Sequence, residues 1–225
     1  MRGLMYDVHG NLPALEAVLA DAKDVDRWLL GGDYTLFGAW PVETSHRLRE
    51  LDATWIRGNG ERWTASPSDA PEAVQGAIAW CAEQLGDDLV SLLAALPETW
   101  RVEDTLICHG SPGSDVQSFW PEPGPDEAEL LDGLPGGVAT VVFGHTHLAF
   151  ARESAGGVEL VNPGSVGMPF DGDHRAAYGV IGDDGKVEHR RVAYHHQASA
   201  DAIRQRLGAA GEQGARRIER AAVDA

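Results

Sequence analysis

Five short polar clusters punctuate the chain, and each carries a residue able to ligate a metal. They are Asp7-Val8-His9-Gly10-Asn11, Gly32-Asp33, Gly58-Asn59, His109-Gly110 and Gly144-His145-Thr146-His147. Taken singly, each has a plain structural reading. Asp7 with His9 could be a turn ahead of a helix cap, and Gly32-Asp33 a simple turn. Gly58-Asn59-Gly60 has the composition of a positive-φ turn, and His109 could be a hydrogen-bonded core histidine. His145 and His147, two residues apart after an apolar run, are spaced so that both can approach one site; otherwise they mark a polar strand edge. Together the clusters say more. Four of the nine histidines stand at expected strand ends, three of them directly beside glycine, joined by two carboxylates and one amide. A nitrogen and oxygen donor set without thiolate suits manganese, iron, zinc or nickel better than a structural zinc knot. The seven donors Asp7, His9, Asp33, Asn59, His109, His145 and His147 exceed the four of one tetrahedral site. They fit two ions sharing one carboxylate.

The elements that must position these donors can be read from periodicity. Residues 3–6, 27–30 and 53–57 have the pattern of short strands, and Asn11 precedes a helix with Leu12, Leu15, Val18, Leu19 and Ala22 on one face. Pro41 opens a second helix. This alternation of strand and helix predicts parallel pairing in an α/β fold. Residues 73–96 read as one long helix. Residues 105–108 and 140–143 read as buried strands, and a Pro-, Gly- and Ser-rich loop over 110–125 carries Phe119 and Trp120. After His147, strands over 148–153, 158–161, 177–181 and 187–194 are separated by Gly156-Gly157 and Asp183-Asp184-Gly185 turns, the pattern of hairpins. The tail from residue 198 is Ala- and Arg-rich and is expected to be helical to 225. Neither an internal repeat nor a dividing linker interrupts the chain, so one domain over 1–225 is expected. Parallel strands followed by hairpins predict two sheets packed face to face with helices outside. Ligands of such sheets gather beyond the carboxyl ends of the strands, which would bring the five clusters together.

Composition narrows the classes. The 225 residues are 43% hydrophobic, enough for a sizeable core. The formal net charge of -17 and the lack of basic tracts argue against a nucleic-acid polymer as partner. No apolar run reaches the length of a membrane span. Cys81 and Cys108 have no metal-type spacing and read as buried thiols. The start runs directly into Asp7, which leaves no room for a signal peptide. A cytoplasmic protein is expected, with its oligomeric state open.

In combination, the order Asp-x-His, Gly-Asp, Gly-Asn, His-Gly and Gly-His-x-His resembles the calcineurin-like metallophosphoesterase superfamily, from Asp7 to about Tyr178. Asp7 to Asn11, Gly144 to His147 and Asn162-Pro163-Gly164-Ser165-Val166-Gly167 look like its small bacterial phosphodiesterase branch. The resemblance implies an α/β/β/α sandwich of two mixed β-sheets flanked by helices. It implies that Asp7, His9, Asp33 and His147 bind one ion, and that Asp33 bridges to a second completed by Asn59, His109 and His145. The catalytic part of Asp33, Asn59 and His109 would be exerted through the ions. The implied cofactors are two divalent ions, manganese, iron, nickel or zinc, with magnesium as a further option. The implied reaction is hydrolysis of a small phosphate-ester substrate by a hydroxide held between them.

One departure stands out. The superfamily often has Gly-Asn-His-Asp/Glu, its histidine thought to help protonate the leaving group; here the sequence is Gly58-Asn59-Gly60-Glu61. His174 could stand in, and Arg57, Arg62 and Arg175 could contact phosphate, although surface pairing is the plainer role for all four. Tyr6, where serine is common in relatives, reads as a packing difference. Other functions fit the same motifs. A nucleotide or nucleoside-polyphosphate hydrolase would use Phe119 and Trp120 as an aromatic rim to stack a base. A non-catalytic scaffold on this fold would be expected to have eroded ligands, and all seven are present. A metal store or sensor would hold ions without turning over phosphate.

Overall fold

A computed structural model describes residues 1–182 and 185–223. The first strand β1 (Arg2–Met5) pairs in parallel with β2 (Arg27–Leu30), and β2 with β3 (Ala53–Trp55). Between them run α1 (Leu12–Asp21) and α2 (Pro41–Arg49), each started by a proline in its first turn where a missing N–H costs nothing. The sheet is completed by the antiparallel pair β9 (Ala176–Ile181) and β10 (Val187–Val192), giving the order β10-β9-β1-β2-β3. The Asp183-Asp184-Gly185 turn expected between those two strands falls mostly outside the described residues.

The second sheet has the order β4-β5-β6-β8-β7, built from β4 (Thr99–Val102), β5 (Thr105–Cys108), β6 (Thr140–Val142), β7 (Phe150–Glu153) and β8 (Glu159–Asn162). Both sheets are mixed. The hairpins are not gathered into one sheet, as the run of strands along the chain suggests: β9 and β10 return to the N-terminal sheet, while β7 and β8 extend the other.

The two sheets meet over Leu4, Tyr6, Leu29, Ile56, Ile107, Val142 and Val161, all buried. Each such side chain stabilises the fold by about 1.5–3 kcal/mol through area removed from water. Tyr6 does more than pack. Its hydroxyl donates to the Val142 carbonyl across the interface at 3.0 Å, so the residue after β1 is tied to the end of β6. On the outer face of the first sheet, α1, α2 and α4 (Gln75–Ala94) bury Leu15, Val18, Leu48, Ile78 and Leu85. The long helix expected over 73–96 is broken at Gly86, whose φ of 69° lies outside helical space and is a conformation glycine adopts without strain. No described helix is long and apolar enough to cross a membrane.

Three elements differ from their sequence reading. Asn59 to Ala65 form a helix, α3, where Gly-Asn-Gly suggests a turn. The edge strand β4, with exposed Trp100, lies in a stretch whose sequence gives no clear alternation. Phe119 lies in the core, with its ring 5.0 Å from that of Phe143 and edge-on to it, whereas Trp120 is exposed. A hydrophobic ring in a Pro- and Gly-rich loop gained more from the core than from solvent, and this removes Phe119 from any substrate rim. Beyond a short α5 (Glu127–Leu130), the chain ends in α6 (His196–Leu207) and α7 (Glu212–Arg220), which pack together around Ala200, Ile203, Ala215 and Ile218.

Candidate metal centre

The carboxyl ends of β1, β2, β3, β5 and β6 deliver the five clusters to one place. Asp7, His9, Asp33, Asn59, His109 and His147 are buried, and His145 is partly exposed. Two groups of donor atoms are close enough to hold an ion, Asp7 with His9 and His147, and Asp7 with Asp33 and His109. Asp7 Oδ1 stands at the middle. It lies 3.4 Å from His147 Nε2 and 3.9 Å from both His9 Nε2 and His109 Nε2. Asp33 Oδ2 is 3.8 Å from His9 Nε2, and its Oδ1 is 3.5 Å from His109 Nε2. Asp33 therefore faces both groups.

Each buried imidazole is oriented from behind. Nδ1 of His9 faces the Leu36 carbonyl at 2.9 Å, that of His109 the Gly31 carbonyl at 2.8 Å, and that of His147 the Met168 carbonyl at 2.6 Å. A carbonyl can only accept, so each Nδ1 must carry the proton and donate it. In the neutral rings the three Nε2 atoms then present bare lone pairs. Those of His9 and His147 point at each other across 3.1 Å. A proton between them would require an imidazolium, and burial holds His9 down to about 3, with neighbouring His147 adding to the effect. Burial holds His145 down to about 4, helped by His109. Asp7 Oδ1 is buried and has no hydrogen-bond donor, while its Oδ2 accepts from the His145 N–H at 3.1 Å. Buried polar atoms are almost always satisfied, so this convergence of acceptors is what a cation would resolve.

Asn59 shows the same tension with a second solution. Its Oδ1 faces the bare His109 Nε2 at 3.1 Å and His145 Nδ1 at 2.8 Å, the orientation a metal ligand needs. Turned over, its amide would donate to both rings and to the Asp115 carbonyl, and accept from the Gly60 N–H.

Charge is divided unevenly between the two carboxylates. Burial raises Asp33, to about 7, opposed by His109 and reinforced by Glu61 and Asp7. Burial also works to raise Asp7, but His147, His109 and His9 outweigh it and hold its carboxyl well below the usual range. His109 is raised, because Asp33 and Asp7 overcome the opposing effect of burial.

The backbone is strained here. Among the described residues, eight that are not glycine have positive φ, and five of these are Asp7, His9, Asp33, His145 and His147. Such conformations cost of order 1–3 kcal/mol each and persist where surrounding contacts enforce them, typically at functional sites. Those contacts are on hand. Asn162 donates to the Gly144 carbonyl at 2.9 Å and the Thr146 hydroxyl at 3.0 Å, holding the turn that carries both C-terminal histidines. Ser165 donates to the Asp7 carbonyl at 2.7 Å. Glu61 takes three amides with one carboxylate: Asp33 N at 2.9 Å, Tyr34 N at 2.8 Å and Gly58 N at 2.8 Å. It thus caps α3 from its own first turn and clamps the Asp33 loop against it. The spacing of Gly58 to Glu61 was the only sequence sign of this role. Glycine is required at two points of closest approach. A Cβ at Gly58 would strike Asp33 Oδ1, and one at Gly144 would lie 2.6 Å from Asp7 Oδ2.

The four outlying candidates all have partners of their own, although Arg57 and Arg62 line a cavity that also reaches His109. His174 Nε2 bonds the Glu219 carbonyl at 2.8 Å and its ring stacks on His196, lining a separate surface hollow. It is therefore not the missing acid. Arg175 pairs with Asp173, and Arg57 with Glu98. Arg62 grips Asp115 with two bonds of 2.7 Å.

This combination of two mixed sheets and histidine–carboxylate clusters at their strand ends defines a metallophosphoesterase architecture. The chain belongs to the calcineurin-like phosphoesterase superfamily, whose domain model matches residues 1–183. It is similar to a metallophosphoesterase from Sphaerobacter thermophilus, whose crystal structure is 27% identical, covers 98% of each chain and superposes with a TM-score of 0.80. That match extends over α6 and α7, beyond the family segment. Protein PH1004 from Pyrococcus horikoshii OT3 shares the fold, with a TM-score of 0.82 at 18% identity over 94% of this chain and 96% of its own. Among curated sequences, protein MJ0912 of Methanocaldococcus jannaschii is 28% identical over 218 residues, covering 86% of this chain and 88% of its own.

Proposed function

We propose that this protein hydrolyses small phosphate esters with two divalent cations, one held by Asp7, His9, Asp33 and His147 and the other by Asp33, Asn59, His109 and His145. The observation that carries this reading is the convergence of imidazole lone pairs on the orphaned, buried Asp7 Oδ1. Two bound dications would supply the Lewis acidity that polarises a phosphoryl oxygen and makes water a nucleophile near neutral pH.

The chain's own groups position and tune this chemistry. Asp33 faces both donor groups and would partly neutralise two cations at once. The backbone carbonyls behind His9, His109 and His147 fix the tautomer that exposes Nε2. Of the seven proposed donors only Asp7 and Asp33 are carboxylates, so a centre loaded with two dications would keep positive charge for a phosphate despite the acidity of the whole chain. The missing histidine at Gly60 and the distant engagement of His174 leave the leaving group without a dedicated proton donor from either position. Esters whose leaving groups are already acidic, aryl esters and activated diesters, should therefore react best.

The test is a screen of mono-, di- and pyrophosphate esters after loading with Mn²⁺, Ni²⁺, Zn²⁺ or Mg²⁺. Turnover that requires an added metal and is abolished by chelation is expected. Undiminished turnover after complete demetallation would refute the reading.

A further inference from the structure

A cavity of about 300 Å³ opens directly on the donor cluster, with His9, Asp33, Asn59, His145 and His147 at its base. Its walls are of a different character. Phe37, Trp63, Val74 and Phe170 make them mainly apolar and aromatic, and the C-terminal helix α7 adds Gln213 and Arg217. Phe170 lies flat on His147, with ring centroids 4.2 Å apart and an interplanar angle of 15°, while the Arg217 guanidinium sits over the Phe170 ring at 5.8 Å. The Trp63 indole N–H is buried without an acceptor among the described residues, which is unusual for tryptophan.

This wall is firmly held. Arg204 of α6 binds both Glu212 and Glu219 of α7, and the His174 ring bonds the Glu219 carbonyl. The Gly214 backbone passes so near the Phe37 loop that an added Cβ would stand 3.2 Å from the Phe37 carbonyl. Residues 213 and 217 lie beyond the segment that defines the superfamily. The part of the site that α7 contributes is therefore separate from the machinery the superfamily shares.

Resting on the phosphoesterase reading above, we infer that this cavity selects the organic group of the substrate, and that this group is a single flat aromatic ring system carrying hydrogen-bond acceptors. Aromatic and aliphatic walls favour a planar apolar face. Gln213 and Arg217 place donors where acceptors on that ring would meet them. The volume lies at the low end of ligand pockets, so it admits one ring system and not an oligomer. Trp63 and Arg217 are then specificity residues and not catalytic ones.

The test uses inert phosphonates as competitive inhibitors of the metal-loaded protein. Methylphosphonate presents the anion alone, phenylphosphonate adds the ring, and 4-carbamoylphenylphosphonate adds an acceptor to the ring. Phenylphosphonate should bind at least about tenfold more tightly than methylphosphonate, since one methylene in a fitted apolar pocket already gives roughly that discrimination. The carbamoyl compound should bind more tightly again. Trp63→Ala should erase most of the ring's advantage, and Arg217→Met with Gln213→Leu only the further gain from the carbamoyl group. Methylphosphonate binding should be unchanged in all variants. Equal inhibition by all three compounds in the wild type would overturn the inference while leaving the metal centre intact. An advantage that survives in the variants would overturn the assignment to Trp63, Gln213 and Arg217. Failure of every phosphonate to bind a metal-loaded protein would instead count against the phosphoesterase reading itself.

Discussion

The two halves of the candidate metal centre are built to different standards. On the side of His9 and His147, both rings are buried, both Nδ1 atoms are anchored on carbonyls, and Phe37 and Phe170 cover them. On the side of Asn59, His109 and His145, only His109 is anchored in that way. His145 is partly exposed, and Asn59 has a satisfied alternative in which its amide turns over. With neutral rings the first half leaves Asp7 Oδ1 and the facing Nε2 atoms of His9 and His147 without a donor, whereas the second half can satisfy itself by turning Asn59 over. A preorganised site loses less on binding, so the first ion should be held tightly and the second exchange readily.

The substitution that should break this contrast altogether is Asp33→Asn. A neutral amide cannot balance two dications, so both affinities should fall and kcat/KM should drop at least roughly 10³-fold. Metal titration of the variant checks this, and two intact sites would remove the bridging role. Asn59→Ala should sharpen the contrast, with the readily exchanging ion lost and the tight one kept. Equal weakening of both ions would mean that the halves are not separable. Glu61→Gln acts one layer out. An amide can still accept through one oxygen but cannot clamp three N–H groups, so metal affinity should fall about 10–100-fold, the range for groups that support ligands. Isothermal titration would show the loss on both ions, because Glu61 fixes the loop of Asp33 and the start of α3.

Gly60 gives a subtler test. Restoring the usual histidine looks from sequence like a repair of general-acid catalysis. The structure argues otherwise. Gly60 does not need positive φ, but its N–H donates to Asp33 Oδ1 at 2.6 Å, and a Cβ would stand 2.9 Å from the same oxygen. Gly60→His should therefore weaken metal binding a few-fold by pushing Asp33 aside. Rates over a series of aryl and alkyl esters at saturating metal would show whether any gain for poor leaving groups survives.

The same contrast explains what could be read in advance. The convergence of the candidate donors was legible because polar residue types that are scarce elsewhere stand close to glycine at the ends of apolar strands. The two mixed sheets followed from the alternation of strands and helices, together with the resemblance of the motifs. What escaped was set by tertiary contacts. α3 begins on Gly-Asn-Gly, poor helix formers, and is held by the Glu61 clamp. Phe119 sits in a loop sequence yet fills the core, and the aromatic wall comes instead from Trp63 and Phe170. Nothing in the composition of the Ala- and Arg-rich tail signals that Arg217 returns to the metal cluster, more than 60 positions after His147.

A two-ion centre with unequal halves is defined by two quantities, the number of ions and the order in which they leave. Native mass spectrometry of the protein during stepwise chelation, followed by diffraction at the absorption edge of the metal, measures both. The expected result is two ions per chain. The one against Asn59 and His145 should leave first, and the one between Asp7, His9 and His147 should persist. A folded protein that takes up no ion at saturating metal, or a single ion placed away from Asp33, would contradict it.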